Sequence, residues 1–596
     1  MKATYDKNDF KVSNEEIKGV RGIKNTLKAL KLVKTNYHIV IGIIITFIIS
    51  VGSAIISALV VKNILLIVTT GRFDECLVYA FVFLMLNIVD YINFYYKEYF
   101  WDVFNRDLKL NLQLKAYNQI NSLKAQCFSE TQTASFTRRI NEADKISTFF
   151  TTIANQLQDL FHFLAYSIVL LFSSPILFGI CAIFYFIKNI FYSYLLPRRK
   201  ALNKRHSALY DKVSNISIES IRGATDVKGL NFEKPLADNY KSGMNDYASK
   251  KINMGIWWRN RIMPVNFFAF TLSTVTLLLT LYFFNSYFSI ATIIFFWTYK
   301  GNINGLFNIL FNFQENFSNI EVSSSRYMEL YDEKLYSTEK FGQKVLENFV
   351  GDIKFKNVYF SYEKGKTILS NVSFEVEPNK ITAFVGKTGC GKSTTLALIS
   401  RFYDPTKGKI TIDEINSKEL TKDCLRSNIS YVQQSPYIFN RSFKENLLLV
   451  NPEATDKEIE TACKKAELHS FIKTTKNGYD TIIGENGITL SGGQKQRLAI
   501  ARALINKSKI IMFDESTSSL DNENQSKIQA TIEKLSKDHT IIVVAHRLST
   551  IINADKIIYI EDHKIKATGT HDELFLNCKE YRELYEVENK AKSEEA

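Results

Sequence analysis

A glycine-rich segment in the second half of this 596-residue chain has the residue types and spacing of a phosphate-binding loop. The apolar run Ile381–Val385 predicts a β-strand and leads directly into the pattern GxxxxGK(S/T), which a predicted helix follows. Glycines let backbone N–H groups surround phosphate oxygens, while Lys392 neutralises the outer phosphates and the hydroxyl of Ser393 reaches Mg²⁺. The predicted phosphate-contacting residues are Gly386, Lys387, Thr388, Gly389, Cys390, Gly391, Lys392, Ser393 and Thr394.

Two adjacent acidic residues supply the second part of a phosphate-transfer site. Ile510–Phe513 predicts a buried strand, and Asp514 and Glu515 follow it. A carboxylate at the end of such a strand can hold the Mg²⁺ shell, and its neighbour can orient and deprotonate an attacking water. Two solvated acids would give the same pattern in isolation, but the phosphate loop upstream favours Asp514 as metal ligand and Glu515 as general base.

A further motif resembles the signature sequence of ATP-binding cassette (ABC) proteins without a substitution. Its residues are Leu490, Ser491, Gly492, Gly493 and Gln494. By the same resemblance, Tyr362 is the aromatic residue that stacks on adenine and 519–521 is the D-loop. Gln434 is similar to the Q-loop glutamine near the metal, and His546 to the switch histidine that contacts the γ-phosphate. The resemblance implies ATP and Mg²⁺ as cofactors.

Two features are similar to the exporter branch of that family, which suggests a bacterial half-transporter. Residues 484–487 have the Gly-Glu-x-Gly pattern of an exporter loop, and 219–233 resemble the exporter connection between the fourth and fifth membrane helices. Small departures occur at Cys390, where Ser is common, and at Gln433. In the family, two cassettes dock head to tail, so each ATP lies between one phosphate loop and the signature of the other chain. A second half-transporter is therefore the expected partner; a homodimer is favoured and a heterodimer stays open.

Six long apolar segments in the first half predict membrane-spanning helices. They lie at 37–61, 77–96, 155–172, 175–196, 263–284 and 288–313. A hydrocarbon core of about 30 Å needs roughly 20 helical residues, which most of them supply. Very short connections are expected at 173–174 and 285–287. The long connections 97–154 and 197–262 keep apolar residues at helical spacing, which predicts that the membrane helices continue well beyond the bilayer.

The charge distribution indicates membrane orientation and no nucleic-acid partner. Residues 1–347 hold 39 Lys and Arg against 27 Asp and Glu, whereas residues 348–596 hold 36 against 34. The positive charge therefore belongs to the hydrophobic half, and its long connections are basic while the short ones are nearly free of Lys and Arg. The positive-inside rule then places both termini, the long connections and the nucleotide-binding domain in the cytoplasm of a multi-pass cell-membrane protein.

The remaining features fit a cytosol-facing protein. Residues 14–35 predict an amphipathic helix on the inner membrane surface, and Ser13 and Glu16 have capping-box spacing at its start. Seven cysteines without a CxxC pair predict reduced thiols. The charged N-terminus lacks a signal-peptide pattern, and 1–13 are too few residues for a leader-cleaving peptidase domain.

The predicted fold is multidomain: an all-α six-helix transmembrane domain followed by an α/β P-loop nucleotide-binding domain. The predicted boundaries are 1–36 for an N-terminal tail and elbow helix, 37–325 for the transmembrane domain, 326–349 for a linker, 350–588 for the cassette and 589–596 for a flexible tail.

Four ionisable residues fall within the apolar segments, in a layer roughly 15–20 Å from the outer surface at 1.5 Å per helical residue. They are Asp90, His162, Lys188 and Lys300. One interpretation is structural: the lysines extend to the inner surface, or Asp90 pairs with one of them. The other is that at least two of the four line an inward cavity and favour a charged substrate.

The predicted activity is ATP-driven export by alternating access. A soluble cassette ATPase is a poor alternative because of the six apolar segments. An importer built on the exporter fold and an ATP-gated membrane regulator both stay open, and lipid, drug, peptide and metabolite are all possible substrates.

Overall fold

The computed structural model describes Lys28 and residues 36–130, 133–283, 289–363, 365–484, 487–514, 522–545 and 551–595. Several predicted features lie outside the described residues: the elbow helix apart from Lys28, the tight connection at 285–287, Glu485, Glu515, the D-loop at 519–521 and His546. The chain divides into two compact units. The first runs to Ser122 and continues after Glu130 to Tyr336; the second comprises Leu123–Glu130 and the chain from Ser337 onward.

The first unit consists of long helices that contain the six predicted apolar segments. They are α1 (Tyr37–Thr70), α2 (Phe73–Asn121), α4 (Thr133–Ser173), α5 (Pro175–Arg222), α7 (Glu233–Phe283) and α8 (Ile290–Met328), with a short α6 (Ala224–Gly229) between α5 and α7. The six long helices have 34 to 51 residues. Since about 20 residues suffice to cross the hydrocarbon core, the prediction that they continue beyond it is confirmed.

Four of the described helices are long and apolar enough to cross a membrane: α1, α2, α5 and Glu233–Thr280 of α7. The other two long helices, α4 and α8, are less hydrophobic because polar side chains interrupt their apolar stretches. Gln158 and His162 of α4 bond to a serine of α1, and Lys300 of α8 bonds to α7. These polar groups therefore serve helix-to-helix contacts.

Local sequence explains the tight turn between α4 and α5, which was predicted at 173–174. Ser174 is the N-cap of α5, and its side chain accepts a hydrogen bond from the Leu177 N–H at 3.5 Å. Pro175 occupies the first turn, where its missing N–H costs no helical hydrogen bond.

The second unit has the alternating strands and helices of an α/β domain. Its strands are β1 (Ile353–Ser361), β2 (Thr367–Val376), β3 (Ile381–Val385), β4 (Lys407–Ile412), β5 (Ile415–Asn416), β6 (Ile429–Val432), β7 (Arg441–Ser442), β8 (Ile482–Ile483), β9 (Ile510–Asp514), β10 (Thr540–Val544), β11 (Lys556–Glu561) and β12 (Lys564–Gly569). Its helices are α3 (Ala125–Glu130), α9 (Lys392–Ile399), α10 (Lys422–Asn428), α11 (Phe443–Leu448), α12 (Asp456–Lys465), α13 (His469–Thr474), α14 (Gly492–Ile505), α15 (Asn522–Leu535), α16 (His571–Asn577) and α17 (Lys579–Glu595).

A six-stranded sheet in the order β12-β11-β3-β10-β9-β6 positions the candidate site. All neighbours are parallel except β12, which pairs antiparallel with β11. All residues of β3 and β10 are buried, as the continuous apolar runs of a sheet covered on both faces require. A four-stranded antiparallel sheet, β2-β1-β4-β5, adds a second layer. Ligands of such sheets bind beyond the carboxyl ends of the parallel strands, which is where the phosphate-binding loop follows β3.

Candidate functional sites

The phosphate-binding loop depends on glycines that no other residue can replace without strain. Gly386 has φ 150°, and a Cβ there would lie 2.1 Å from the carbonyl oxygen of Ile560. Gly391 has φ 109°, and its Cβ would lie 2.6 Å from a methyl carbon of Leu369. The loop is thus packed closely against β11 and β2, and its backbone is held in a conformation that L-residues rarely adopt.

Lys392 begins α9 and is the central charge of the loop. Its side chain is 5% exposed, and its Nζ donates hydrogen bonds to the carbonyl oxygens of Gly386 at 2.7 Å and Lys387 at 3.2 Å. Both partners are neutral, and among the described residues no carboxylate pairs with Lys392. An ammonium has three donors, so one donor and the full charge remain for a phosphate group.

Ser393, in the helix after β3, contacts Asp514 at the end of β9. A metal site requires oxygen ligands that lie close together in this way. The Ser393 hydroxyl donates to Oδ1 of Asp514 at 2.9 Å, and the hydroxyl of Tyr431 donates to Oδ2 at 2.6 Å. Asp514 ends β9 and Tyr431 lies on the adjacent β6. Hydroxyl and carboxylate oxygens are the ligands that Mg²⁺ accepts, together with phosphate oxygens and waters, so this oxygen pair fits the ion.

Tyr362 follows β1 on the other side of the loop. Its hydroxyl lies 3.1 Å from the Thr394 hydroxyl, and its ring packs edge-on against Phe360 and Tyr403, with centroid distances of 4.8 and 5.0 Å. The side chain remains 43% exposed. An aromatic ring held this way by its neighbours offers a face on which a base can stack.

Cys390, the departure from the common serine, is 7% exposed. Burial raises the pKa of its thiol above the ordinary range. The thiol is therefore neutral and packs within the protein under the loop. Its side chain supplies no chemistry to the phosphate site.

The signature residues form the start of α14. Ser491 is the N-cap: its hydroxyl accepts from the Gln494 N–H at 3.3 Å, and the Gln494 side chain accepts from the Ser491 N–H at 2.8 Å. Ser491 and Gly492 are exposed, whereas Gly493 is buried. A capped helix of 14 residues thereby presents its first backbone N–H groups at the surface, where they favour an anion.

The Q-loop lies next to this helix. The carbonyl oxygen of the exposed Gln434 accepts from Nε2 of the buried Gln496 at 3.5 Å. The predicted metal role of the Gln434 side chain stays a prediction. The structure therefore brings together the phosphate loop, Asp514 and Tyr362, and separately brings Gln434 to the signature helix.

Two positioning residues escaped the sequence analysis. Tyr431 was not predicted to hold Asp514, although its place at the end of a strand two residues before Gln433 is a usable signal. Asn446 is fully buried, and its side-chain amide donates to the carbonyl oxygens of Phe439, Arg441 and Ser442 at 2.9 to 3.1 Å. It shapes the segment after the Q-loop, and no sequence pattern marks it.

The polar groups of the membrane unit form two clusters. In the first, between α1, α2 and α4, Oδ2 of Asp90 accepts from the Ser53 hydroxyl at 2.6 Å. The hydroxyl of Ser50 contacts His162 at 2.8 Å and Gln158 at 2.7 Å. Asp90 thus bonds to a serine, and no lysine pairs with it among the described residues.

The second cluster joins α5, α7 and α8 and contains both lysines. Lys188 is 6% exposed and donates to the side-chain oxygen of Asn304. Lys300 is 4% exposed and donates to the hydroxyls of Thr274 and Ser273. Because both side chains are buried, the interpretation that they extend to the membrane surface is wrong for this structure.

Comparison with known families assigns both halves of the chain. The ABC transporter transmembrane region matches residues 40–306, and the family described as ABC transporter matches residues 369–518. A Bacillus subtilis protein provisionally named a multidrug export ATP-binding/permease protein is 31% identical over 499 residues, which cover 83% of this chain and 86% of that protein. A Staphylococcus aureus protein of the same provisional name is 32% identical over 80% of this chain and 84% of its own length.

Two further similarities extend this result. ABC transporter B family member 1 of Dictyostelium discoideum is 46% identical over 257 residues, which span 43% of this chain and only 28% of that relative. The solved structure of a bacterial Atm1-family ABC exporter with ATP bound has the same fold, with a TM-score of 0.77 at 23% identity over 92% of this chain and 98% of that one. The chain belongs to the ABC transporter family. It carries one transmembrane region and one cassette, as the fused half-transporters of that family do.

Proposed function

We propose that this chain is one half of an ATP-driven exporter that moves a substrate across the cell membrane by alternating access. The observation that carries the proposal is the contact of Ser393 with Asp514 beside the ammonium group of Lys392. A hydroxyl, a carboxylate and a cation held by neutral carbonyls together suit Mg²⁺ and the outer phosphates of ATP. The export direction is supported by the names of the relatives.

Each site residue takes the role that its position suits. Lys392 contacts the outer phosphates, the loop N–H groups surround them, and Tyr362 stacks on the adenine. Mg²⁺, when bound, would be held by Ser393 and Asp514, with the side chain of Gln434 as a further proposed ligand, and it would offset the charge that develops during phosphoryl transfer. Glu515 orients and deprotonates the attacking water, and His546 contacts the γ-phosphate.

The active unit is a dimer with cassettes docked head to tail. The exposed N-terminus of α14 at Ser491 and Gly492 supports a phosphate contact from a second chain. The γ-phosphate makes this contact only in the closed dimer, which is the differential interaction a ligand needs to shift a conformational equilibrium. This chain has an intact loop and signature together with Glu515 and His546, so we favour a homodimer over a heterodimer. Both termini and the cassettes lie in the cytoplasm.

Cysteine crosslinking tests the dimer. Ser393→Cys and Ser491→Cys, combined with Glu515→Gln in a background without the seven native cysteines, should crosslink between chains only when ATP is present. Lys537→Cys in place of Ser491→Cys is the control. Lys537 is exposed and precedes the amino end of β10, whereas the phosphate loop follows the carboxyl end of the parallel neighbour β3. Crosslinks formed solely within one chain would contradict head-to-tail docking.

Transport direction is tested in inside-out membrane vesicles. The proposal expects ATP-dependent accumulation of a substrate inside such vesicles, and none with Asp514→Asn, which removes the metal-binding charge. ATP-dependent depletion from the vesicles would favour an importer. Hydrolysis without any vectorial movement would favour a membrane regulator.

A further inference from the structure

Lys188 and Lys300 are buried, and counting along their helices from the predicted outer ends places them at the depth of the bilayer interior. Lys188 lies thirteen residues after the start of α5 and Lys300 ten residues after the start of α8, so they are about 20 and 15 Å along their helices. Charged groups there are costly and face the interior of a helix bundle or a cavity. Neither lysine forms an ion pair with any carboxylate among the described residues.

The two lysines belong to one connected network. Asn304, the partner of Lys188, is one helical turn from Lys300 on α8. Tyr185 supplies the second link, since the Lys188 Nζ lies 5.9 Å from the centroid of its ring and its hydroxyl lies 3.5 Å from that of Ser273, which bonds to Lys300. Two like charges therefore share one cluster of neutral oxygens, and no anion within the described ranges balances them.

Aromatic rings form the rest of the surroundings. The Lys188 Nζ lies 5.5 Å from the centroid of the Tyr192 ring, and the Lys300 Nζ lies 4.7 Å from that of Phe270. Ring faces stabilise cations and also offer apolar surface to a ligand. The neighbourhood combines unbalanced positive charge with aromatic walls.

We propose that this cluster is the binding site of the transported substrate and that the substrate is an amphipathic organic anion, with one carboxylate, sulfonate or phosphate group on an apolar or aromatic body. The proposal rests on the proposed export function and names its substrate class. An anion between the two ammonium groups balances both charges, while its body lies against the rings. The cluster of Asp90 has the opposite character, since its acidic side chain accepts a hydrogen bond from the Ser53 hydroxyl.

A lipid headgroup would carry the same anionic chemistry, but its phosphate stays near the membrane surface. The lysines are almost fully enclosed by three helices at greater depth. We therefore assign the site to a free amphiphile.

Direct binding of two dyes tests the assignment. The full-length protein, in nanodiscs of phosphatidylcholine without nucleotide, is titrated with carboxyfluorescein, an anion, and with rhodamine 123, a cation on the same ring system. Fluorescence anisotropy should report at least about tenfold tighter binding of the anion. Lys188→Gln and Lys300→Gln should each weaken anion binding by about tenfold or more, because a charge-assisted contact is lost.

Lys97→Gln is the matched control, because Lys97 is a partly buried lysine of α2 that already has a carboxylate partner, Glu98, at 3.7 Å. Its anion binding should equal that of the unchanged protein. Should a glutamine variant fail to assemble, Lys188→Arg and Lys300→Arg keep the charge and should keep the preference for the anion.

Three outcomes would overturn the site. The first is equal binding of the two dyes, and the second is anion binding that survives both glutamine substitutions. The third is retention of phosphatidylglycerol through delipidation in the unchanged protein but not in the glutamine variants, which would assign the cluster to a lipid. Because binding is measured without nucleotide, a failure of ATP-driven transport with intact dye binding would count against the proposed function alone.

Discussion

The cassette and the membrane unit both bury ammonium groups that pair with no carboxylate in the described part of the chain, yet they hold them by different means. Lys392 is held by two backbone carbonyls of a glycine-rich loop. Lys188 and Lys300 are held by side-chain amide and hydroxyl oxygens and by ring faces. A backbone cradle fixes donors in place for one ligand, phosphate. Side-chain partners on three separate helices can rearrange, which suits a site that must open to either side of a membrane.

The surroundings of the two lysine sites indicate which of them can catalyse a reaction on its ligand. In the cassette, Asp514 lies beside the phosphate loop, and Glu515 follows it in the sequence. We therefore expect an activated water to attack a bound anion only there. The membrane cluster has no comparable carboxylate among the described residues, and we expect it to bind without transforming its ligand.

The largest expected effect concerns that chemistry. Glu515→Gln should lower ATP hydrolysis by about 10²–10⁴-fold, because the general base is lost while phosphate contacts remain. ATP binding, measured with a fluorescent analogue, should persist. Hydrolysis close to that of the unchanged protein would remove Glu515 from the role of base and weaken the contrast between the two sites.

The next effect concerns the buried lysine of the cassette. Lys392→Ala should weaken ATP binding by roughly 10–100-fold, since it removes charge-assisted contacts to the phosphates. The control is Lys380→Ala, an exposed lysine whose partner is Glu377 and whose loss should leave nucleotide affinity unchanged. Equal ATP affinities of the two variants would show that Lys392 does not contact the phosphates.

The sequence alone could predict the cassette site closely and the membrane cluster only as scattered residues. The spacing of Gly386 and Gly391 predicts the phosphate loop, because the backbone of the loop itself forms the binding site. The position of Lys188 opposite Asn304 depends on how α5 rotates against α8, and apolar periodicity does not specify that rotation. The two partners of Asp514 differ in the same respect. Ser393 lies within the recognisable motif, whereas Tyr431 contacts the carboxylate only because β6 lies next to β9 in the sheet.

The fold shows the same division. Hydropathy located the apolar segment of each of the six long helices. It could not distinguish the four that are apolar enough to cross a membrane from α4 and α8, whose polar residues bond to neighbouring helices. A polar residue within an apolar segment lowers its hydropathy, and the sequence alone does not show which neighbouring helix that residue contacts.

A third prediction compares the phosphate loop, which is built from backbone groups, with the lysine cluster, which is built from side chains. Gly391→Ala should weaken ATP binding and lower the unfolding midpoint of the cassette, because φ 109° and a 2.6 Å contact with Leu369 both oppose a Cβ. Left-handed backbone strain alone costs about 1–3 kcal/mol. The matched change in the membrane unit is Gly301→Ala, beside Lys300, where a Cβ meets nothing within 4 Å. Its anion binding should be unchanged. A tolerated Gly391→Ala would contradict the backbone-built loop.

The smallest effect concerns His539, a half-buried basic group of the cassette. The Nδ1 of His539 lies 2.7 Å from the carbonyl oxygen of Ser508 and donates to it. Burial lowers the pKa of the imidazole below its ordinary value, and Lys465 and Lys509 act in the same direction, against the Ser508 hydrogen bond and Asp538. The folded cassette therefore prefers the neutral ring.

The sign of the pH dependence follows from that preference. Because the folded pKa lies below the unfolded value of about 6.5, the stabilisation is fully present above pH 6.5 and is lost as the pH falls through the folded pKa. Calorimetry of the full-length protein can follow the cassette transition, which MgATP should shift upward, while tryptophan fluorescence reports the membrane unit, where all four tryptophans lie. Between pH 7.5 and 5.5 the cassette midpoint should fall by about 2 °C more than in His539→Asn, whose amide keeps the donor but cannot titrate. An equal fall in both proteins would mean that His539 does not contribute to the pH dependence.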